Sequence, residues 1–353
     1  MIVTAELLGR QLAAIFRGWG MSEAHISITV EVMLGADLSA IDSHGVAMMP
    51  LYAQLRSAGK LELKPEITVV RETATATVVD GGGGLGHVPA TRAMQLAIAK
   101  ARQAGMAIAT VRNSNHFGAA GVYALMAAEA GLIGLAMTNV HNSSVVPTFA
   151  ADPMFGTNPI AFAAPTKRNK PYLFDMATST AAIGKLKIAN MAGKPVPEGW
   201  ALDPVGEPLT DAAEALKYRR LTPLGGSREL GSHKGYGLAM MVEILTATLS
   251  GAAFTPLRAP DAPRLNVGHF LMAIDPRQFR EGDAFENDLD AMIDTLRAAR
   301  PVDPDQPVIV AGDPEHEAKE RRAREGIPVP GILVREIRAM AADCGAEILL
   351  DVA

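Results

Sequence analysis

The sequence predicts an α/β fold built around a mixed β-sheet. Short runs rich in Val, Ile and Leu alternate with segments whose apolar residues recur at helical spacing, and this alternation is regular from residue 90 onward. The chain has 353 residues, of which 48% are apolar and 20% charged, so it is long enough for a large core and too apolar for a disordered protein.

Two helices are expected at the start of the chain. Thr4 can cap the first helix, which should end near Gly18 or Gly20, and Ser22 can cap the second. A loop is expected at residues 42–45. The remaining elements of this part are a short helix through Tyr52 and Leu55 and two strands, at 67–70 and 76–79.

Beyond residue 90 the pattern predicts helices and strands in turn. The first helix there should end at Gly105, and its apolar face consists of Met94, Ala97, Ile98 and Ala101. Strands are expected at 106–111, 132–137, 159–164, 172–176 and 267–274. Helices are expected at 119–130, 235–249, 285–300, 315–325 and 334–342. Residues 193–226, rich in Pro and Gly, are expected to form a long ordered excursion over the surface.

Composition and charge exclude several classes of protein. The net charge is −5 and no stretch is strongly basic, so nucleic acid is not an expected partner. The longest uncharged run, 130–151, contains Asn139, His141 and Pro147, which argues against a membrane span. A single cysteine, Cys344, fits a reducing compartment, and no secretory leader is recognisable, so we expect a cytoplasmic protein. No His or Cys pair has metal-site spacing, so no metal is expected.

A glycine-rich turn resembles a dinucleotide fingerprint. Gly81, Gly83 and Gly86 match G-x-G-x-x-G between a predicted strand and a predicted helix. A Rossmann site also needs an acidic residue about 20 positions further on. Between Asp80 and Glu129 the sequence has neither Asp nor Glu. A turn that lets two backbone segments approach closely is therefore the favoured interpretation.

Three loops carry polar side chains that suit a ligand. Ser43 and His44 lie in the first loop, where a histidine could transfer protons or bond only within the loop. Residues 112–118, which include His116, follow a strand, where α/β proteins bind ligands; such a loop can also satisfy a buried turn. Residues 155–160 can approach a ligand closely or form an ordinary β-turn.

Two further segments favour an anionic ligand. Residues 175–179 place small hydroxyl residues and backbone amides at the end of a strand. Lys234 lies at the start of a helix, where free amides and the helix dipole attract phosphate. A lysine there is unfavourable for the helix itself, so we expect it to serve a ligand.

Together these segments resemble the type 2 malate/L-lactate dehydrogenase family, which includes ureidoglycolate dehydrogenase, 2,3-diketogulonate reductase, sulfolactate dehydrogenase and Δ1-piperideine-2-carboxylate reductase. The resemblance runs nearly end to end. It is carried by DSHGV (42–46), DGGGGLG (80–86), VRNSNHFGAAGVYA (111–124), FGTNPIAFAAPT (155–166), DMATSTAAIGK (175–185), PEGWALDPVGEPLTD (197–211), HKGYGLAMMVEIL (233–245) and NVGHFLMAIDP (266–276).

The resemblance implies a non-Rossmann fold like that of malate/L-sulfolactate dehydrogenase. Residues 1–120 plus 305–353 are expected to form a substrate and dimerisation domain, and residues 121–304 a nicotinamide dinucleotide-binding domain. It implies a homodimer with its active site between domains. The expected activity is hydride transfer between NAD or NADP, which the sequence does not distinguish, and a small 2-hydroxy or 2-oxo acid.

The family's site residues can be carried over by position. His44 or His116 would exchange the substrate's hydroxyl proton, and His44 is the choice here, with Ser43 and Asp175 orienting it and His116 polarising the substrate oxygen. The residues expected to contact the dinucleotide are His44, Gly118, Asp175, Met176, Ala177, Thr178, Ser179, Lys234, Asn266, Gly312, Asp313 and Pro314. The residues expected to contact the substrate are Arg112, Thr157 and Lys185.

The sequence departs from the family pattern at three places. Many relatives read S-H-G-V-x-R, with an arginine that grips the substrate carboxylate; here the position is Met48. Ala311 precedes the Gly312 turn where relatives more often have proline, and Ala150-Ala151 replaces a glycine pair. These changes keep two alternatives open: a reductase of cyclic imino acids, and a catalytically silent dinucleotide-binding protein.

Overall fold

The computed structural model describes residues 1–350 of the chain. The helices of this part are α1 (Ala5–Trp19), α2 (Glu23–Leu38), α3 (Met49–Ser57), α4 (His87–Ala104), α5 (Ala120–Glu129), α6 (Ile183–Met191), α7 (Ala212–Tyr218), α8 (Ser232–Glu243), α9 (Ala284–Arg297), α10 (Asp313–Glu325) and α11 (Gly331–Asp343). The strands are β1 (Ile2–Val3), β2 (Thr68–Glu72), β3 (Ala76–Asp80), β4 (Met106–Ser114), β5 (Ile133–Thr138), β6 (Ile160–Ala164), β7 (Tyr172–Met176), β8 (Ala201–Leu202), β9 (Pro208–Leu209), β10 (Val267–Ile274) and β11 (Ile327–Pro328).

Seven strands form the central sheet in the order β2-β3-β4-β10-β5-β6-β7. Strands β3 and β4 pair in parallel, and the other neighbours pair antiparallel, so the predicted mixed sheet is confirmed. Strand β10 lies in the middle, where Phe270 pairs with Thr110 of β4 and Met137 of β5. Its residues are mostly buried because helices cover both faces of the sheet there, which explains its nearly continuous apolar sequence.

Helices cover both faces of the sheet. On one face α4 and α5 pack through small residues, and the buried set includes Ala90, Ala93, Ala97, Ala101, Ala120, Ala124 and Ala127. On the other face Val242 of α8 packs on Met137 and Phe270. Alanine brings the helices close to the strands, and the α8 side is held by larger side chains.

A second core joins the two ends of the chain. Helices α1, α2, α3 and α11 share it, and strand β1 pairs with β11. The expected caps of α1 are confirmed, because the Thr4 side chain accepts a hydrogen bond from Leu7 N at 3.2 Å and Gly20 ends the helix at φ 96°. The paired strands contain two residues each, too few for a sequence pattern to predict.

The glycine-rich turn between β3 and α4 has the structural role that was favoured. Gly81 N donates to Arg112 O at 2.9 Å, and Gly86 N donates to His116 O at 2.9 Å. A Cβ at Gly86 would overlap Asn115 O and lie 2.7 Å from Cβ of Phe117. The loop after β4 therefore fills the space in which a Rossmann fold would hold pyrophosphate. The dinucleotide-fingerprint interpretation of these glycines is wrong here.

Residues 193–226 differ from the expected surface excursion. Strands β8 and β9 and helix α7 pack with α6 around a separate small core, whose buried members include Val145, Leu186, Val196, Ala201, Ala215 and Leu221. Helix α6 itself was not predicted, because Leu186 is its only buried residue and gives no periodic face.

The sheet crosses the expected domain boundary at residue 120, because β4 and β5 both pair with β10. That boundary therefore remains a prediction about which residues bind which ligand. Among residues 1–350, no helix combines the length and apolar character that crossing a bilayer requires.

Candidate active site

Two histidines from distant parts of the sequence lie side by side. His44 belongs to the loop after α2 and His116 to the loop after β4, and their ring centroids are 5.5 Å apart with planes at 26°. Both rings keep some solvent exposure although protein surrounds them on most sides. Burial lowers the pKa of His44, and burial followed by the neighbouring His44 holds the pKa of His116 well below its usual range. Both rings are therefore neutral at pH 7.

The hydroxyl of Ser43 is the hydrogen-bond partner of His44. Ser43 Oγ lies 2.8 Å from Nδ1 of His44, and its role in orienting the ring stays a prediction. Ser43 is exposed, so its hydroxyl can rotate and exchange protons with solvent.

A buried carboxyl group fixes the loop that carries His44 through a hydrogen bond to its backbone. Asp37 of α2 is 1% exposed, and its Oδ2 accepts a hydrogen bond from Val46 N at 2.9 Å. A Cβ at Gly45 would overlap this carboxyl, so only glycine fits there. Arg322 of α10 bonds both the carbonyl of Asp37, at 2.6 Å, and the carboxylate of Asp42. The position of His44 thus depends on α2 and α10 together.

His116 is held from inside the protein. Its Nδ1 lies 2.9 Å from Oη of Tyr52 and 3.3 Å from the amide nitrogen of Gly118. Tyr52 Oη lies 3.3 Å from Nε2 of His87. Tyr52 and His87 are both 0% exposed. A cofactor contact was expected at Gly118; the structure places its amide against the catalytic candidate His116.

Asp175 has a different partner from the one expected. Its Oδ2 accepts a hydrogen bond from Gly121 N at 2.7 Å and so caps the start of α5. Within residues 1–350 it forms no hydrogen bond with His44, and its orienting role stays a prediction. Asp175 keeps some solvent contact, but protein atoms surround its carboxyl group on most sides. This loss of hydration, together with the negative charge of Glu315, raises the pKa of Asp175 to about 6.

The segment Met176–Ala177–Thr178–Ser179 runs between two other loops. Thr178 N donates to Thr157 O at 2.8 Å, and Leu224 N donates to Thr178 O at 2.9 Å. The segment 155–160 is fixed in turn, because Nδ2 of Asn158 donates to Oε2 of Glu243 at 2.9 Å. The side-chain hydroxyl of Thr157 is left free of these backbone bonds.

Lys234 lies in the first turn of α8, close to Gly225 and Gly231. Gly231 begins the helix at φ 101°, and no side chain caps it. A Cβ at Gly225 would lie 2.6 Å from the carbonyl carbon of Gly231, so the two turns touch through backbone. Lys234 is exposed, and within residues 1–350 no carboxylate pairs with it. A free cation beside uncapped amides suits an anionic group.

The Gly312-Asp313-Pro314 turn packs against β7. Gly312 has φ 98°, and a Cβ there would lie 3.0 Å from Leu173 N. The carboxylate of Asp313 is already engaged, because it pairs with Arg297 at 2.5 Å and accepts from Val310 N at 2.8 Å. This turn therefore offers a ligand its backbone rather than that carboxylate.

Three residues expected to contact a ligand have partners outside the histidine pair. Arg112 Nε is 3.5 Å from Asp80 Oδ2, and its guanidinium lies beside Gly251 on the α8 face of the sheet. Lys185 Nζ stands 5.5 Å from the ring centroid of Trp200. Asn266 Oδ1 accepts from the backbone of Asn113 at 2.6 Å. Each of these side chains has a structural partner, and none of those partners belongs to the histidine pair.

Sequence reasoning missed the residues that support the histidines. Tyr52 was assigned only to a helix, His87 to none of the polar segments, and Asp37 to no role. A buried tyrosine needs a partner for its hydroxyl, which is the one signal that could have singled out Tyr52. Within residues 1–350 no group of three or more His, Cys, Asp or Glu side chains is arranged to hold a metal ion.

Comparisons with known proteins agree with the motifs. The family model described as malate/L-lactate dehydrogenase matches residues 3–338. Malate dehydrogenase of Pyrococcus horikoshii is 40% identical over 330 residues, which cover 93% of this chain and 91% of that protein.

Solved structures share the whole fold. The crystal structure of malate dehydrogenase from Entamoeba histolytica has a TM-score of 0.93 at 33% identity, covering 98% of this chain and 99% of that chain. Δ1-Piperideine-2-carboxylate reductase from Pseudomonas syringae has a TM-score of 0.85 at 30% identity, covering 97% and 100%. The resemblance predicted from the motifs is confirmed: this chain belongs to the malate/L-lactate dehydrogenase family of oxidoreductases, which act on hydroxy and oxo acids.

Proposed function

We propose that this protein is an NAD(P)-dependent dehydrogenase that interconverts a small 2-hydroxy acid and its 2-oxo acid. The observation that carries the proposal is the pair of neutral, partly exposed histidines, one of them bonded to an exposed hydroxyl. A bound dinucleotide supplies the hydride in reduction and accepts it in oxidation. The protein's own task is then to orient the substrate and to move one proton.

His44 is the residue proposed to move that proton. In oxidation neutral His44 takes the proton of the substrate hydroxyl, while the hydrogen on C2 leaves as hydride. In reduction the His44 imidazolium donates a proton to the oxygen as hydride arrives at C2. Ser43 connects Nδ1 of His44 to solvent, so the ring can be reloaded in either direction.

The residues around Lys234 fit an extended anionic cofactor. Lys234 with the uncapped start of α8 would hold phosphate, and the loop 176–179 would run beside it. The close contact between Gly225 and Gly231 fixes the backbone at the start of α8, where the phosphate would bind. Asp175, at the end of β7, would face the ribose or the nicotinamide. These proposed contacts all lie within residues 121–304, the part of the chain expected to bind the dinucleotide.

The proposed assembly is a homodimer. Helices α2, α5 and α10 and strand β7 border a groove of about 650 Å³. Its apolar lining includes Val30, Leu34, Leu38, Val122, Leu125 and Met126. An apolar groove of this kind on a chain's surface is typical of a protein interface. Light scattering coupled to size exclusion should give twice the chain mass; a monomer at micromolar concentration would refute the dimer.

A reductase of cyclic imino acids is the second candidate. It is supported by the likeness to Δ1-piperideine-2-carboxylate reductase and by Met48, because an apolar residue there suits a substrate whose remote end is uncharged. The same proton and hydride steps would act on a C=N bond.

The test is a titration followed by a substrate panel. NADH and NADPH are titrated separately while tryptophan fluorescence is followed, and 2-oxo acids, 2-oxo sugar acids and cyclic imino acids are then added. Oxidation of the bound cofactor by a 2-oxo acid supports the main proposal, and oxidation only by imino acids selects the second candidate. Binding without turnover by any substrate would identify a silent dinucleotide-binding protein.

A further inference from the structure

His116, Tyr52 and His87 form a hydrogen-bonded chain that leads from the histidine pair into the core. Tyr52 Oη lies 2.9 Å from Nδ1 of His116 and 3.3 Å from Nε2 of His87. Because Tyr52 and His87 are 0% exposed, bulk water does not compete for these bonds. The direction of the hydrogens along the chain decides which nitrogen of His116 is protonated.

The backbone amide of Gly118 fixes one end of the chain. Gly118 N points at Nδ1 of His116 from 3.3 Å, and an amide can only donate. Nδ1 must therefore carry a lone pair and no hydrogen. The Tyr52 hydroxyl, which contacts the same nitrogen, is then a donor to it as well.

An unpaired nitrogen on His87 points to the same direction. Nδ1 of His87 is buried and has no hydrogen-bond partner within the described chain. If Tyr52 donated to Nε2 of His87, the hydrogen of that ring would lie on Nδ1 as an unpaired buried donor. In the opposite direction Nε2 of His87 donates to Tyr52, and Nδ1 is an unpaired acceptor, which proteins tolerate better.

We propose that Tyr52, with His87 behind it, locks His116 in the tautomer protonated at Nε2. His116 then donates a hydrogen bond from Nε2 to the substrate oxygen and does not itself exchange a proton. Tyr52 is a positioning residue in this account, since it acts only through His116. The role toward substrate rests on the proposed function, whereas the tautomer is a property of the free protein.

The hydrogen-bonded series His116–Tyr52–His87 fixes the tautomer of His116 and does not relay protons. Burial raises the pKa of the Tyr52 hydroxyl far above its usual value and lowers the pKa of His87 to about 3, so both stay neutral. A neutral His87 that gave its hydrogen to Tyr52 would have no source from which to recover it, because its other nitrogen has no partner. The exposed Ser43 hydroxyl beside His44 has no such restriction. Proton exchange therefore falls to His44 and substrate orientation to His116.

The direct test is the ¹⁵N NMR spectrum of histidine-labelled protein, in which protonated and unprotonated ring nitrogens have different shifts. The His116 signals are assigned by their loss in His116→Gln. In the wild type we expect a neutral ring with hydrogen on Nε2. In Tyr52→Phe only the longer bond from Gly118 N, at 3.3 Å, still favours that tautomer, so we expect a partial shift toward the mixture of tautomers. Hydrogen on Nδ1, a cationic ring at pH 7, or an unchanged spectrum in Tyr52→Phe overturns the proposal. If Tyr52→Phe does not fold, the wild-type spectrum alone still decides the tautomer.

Tyr123→Phe is the matched control. Tyr123 is also 0% exposed, and its hydroxyl donates to Phe117 O, so it loses a similar buried hydrogen bond without touching His116. Its His116 signals should match the wild type. Turnover of Tyr52→Phe should fall about tenfold with unchanged cofactor affinity, the loss expected for one misdirected hydrogen bond. If no substrate is turned over but Nε2 of His116 carries the hydrogen, the proposed function fails and the tautomer assignment is still supported.

Discussion

The imidazole rings of His44 and His116 lie nearly parallel, with centroids 5.5 Å apart and planes at 26°. Their hydrogen-bond partners differ in kind. Nδ1 of His44 meets the exposed hydroxyl of Ser43, whereas Nδ1 of His116 meets the buried hydroxyl of Tyr52. Two residues of the same type thus acquire separate functions, because one can exchange protons with solvent and the other is fixed.

His44→Gln should remove proton transfer and leave cofactor binding intact. Loss of a general acid–base residue costs on the order of 10² to 10⁴ in turnover. The wild type should oxidise faster as pH rises through the lowered pKa of His44 and reduce faster as pH falls, because oxidation needs the neutral ring and reduction the cation. His25→Gln, in the first turn of α2, is the control. A His44→Gln enzyme that keeps wild-type turnover would remove His44 from the mechanism.

Lys234→Gln should weaken dinucleotide binding roughly tenfold to a hundredfold, since a hydrogen bond to a charged group contributes about 1.5–3 kcal/mol. The loss should shrink at high salt, which screens the lysine–phosphate attraction. Fluorescence titration measures both effects. Lys187→Gln removes an exposed lysine of α6 and should change neither. Equal affinity for the Lys234→Gln and wild-type proteins would place the phosphate elsewhere.

Met48→Arg should change substrate choice. Met48 is half-buried and packs against the core that joins the two ends of the chain. The methylene groups of an arginine can make the same apolar contacts. An arginine there should lower KM for dicarboxylic 2-oxo acids about tenfold or more through a bidentate bond, with little effect on acids that have one carboxylate. Steady-state kinetics with a pair of such acids measures the ratio, and an unchanged ratio would mean that position 48 does not face the substrate.

Gly86→Ala should destabilise the fold by about 2 kcal/mol or more, because the new methyl group overlaps the carbonyl of Asn115 and neither backbone can withdraw. Gly184→Ala is the matched control, since a Cβ there has no neighbour within 4 Å. Urea unfolding of both variants measures the difference. Wild-type stability for Gly86→Ala would mean that the β3–α4 turn is open, as a phosphate-binding turn would be.

Asp37 should make the protein less stable as pH rises. Burial raises the pKa of Asp37 from 3.8 to about 7, Asp42 raises it further, and the Val46 amide and Arg322 lower it. The folded state holds the proton more tightly than the unfolded chain between these two values, so its contribution to stability is lost as pH increases through that window.

Asp37→Asn isolates this contribution, because the amide oxygen can still accept from Val46 N while it carries no charge. Relative to the wild type, the variant should gain stability from pH 4 to pH 7 in urea unfolding. Exposed Asp261→Asn should show no such trend. A difference that is constant with pH would show that Asp37 does not titrate in this window.

Much of the fold could be predicted from local patterns. The caps of α1, the stop of α4 at Gly105 and the strands β7 and β10 follow from capping residues and apolar runs that lie next to one another in sequence. The glycine turn was assigned correctly because a Rossmann site needs an acidic residue that the sequence lacks.

The support of the site could not be predicted in this way. Tyr52, His87 and His116 come from a helix, a helix start and a loop, and only the packing of α3 against α4 and the loop after β4 brings them together. For the same reason the bond between Asp175 and the amide of Gly121 was not predicted, and the role of Asp175 toward His44 stays a prediction.

Isotope transfer is the sharpest test of the proposed hydride transfer between a nicotinamide and C2 of a hydroxy or oxo acid. Reduced dinucleotide carrying deuterium at both C4 positions is incubated with the protein and the 2-oxo acid that gives turnover, and the product is examined by mass spectrometry. The account predicts one deuterium bonded to C2 and none on the hydroxyl oxygen, whose hydrogen comes from water through His44. Product without deuterium at C2, or cofactor that is never oxidised by any acid of the panel, would contradict it.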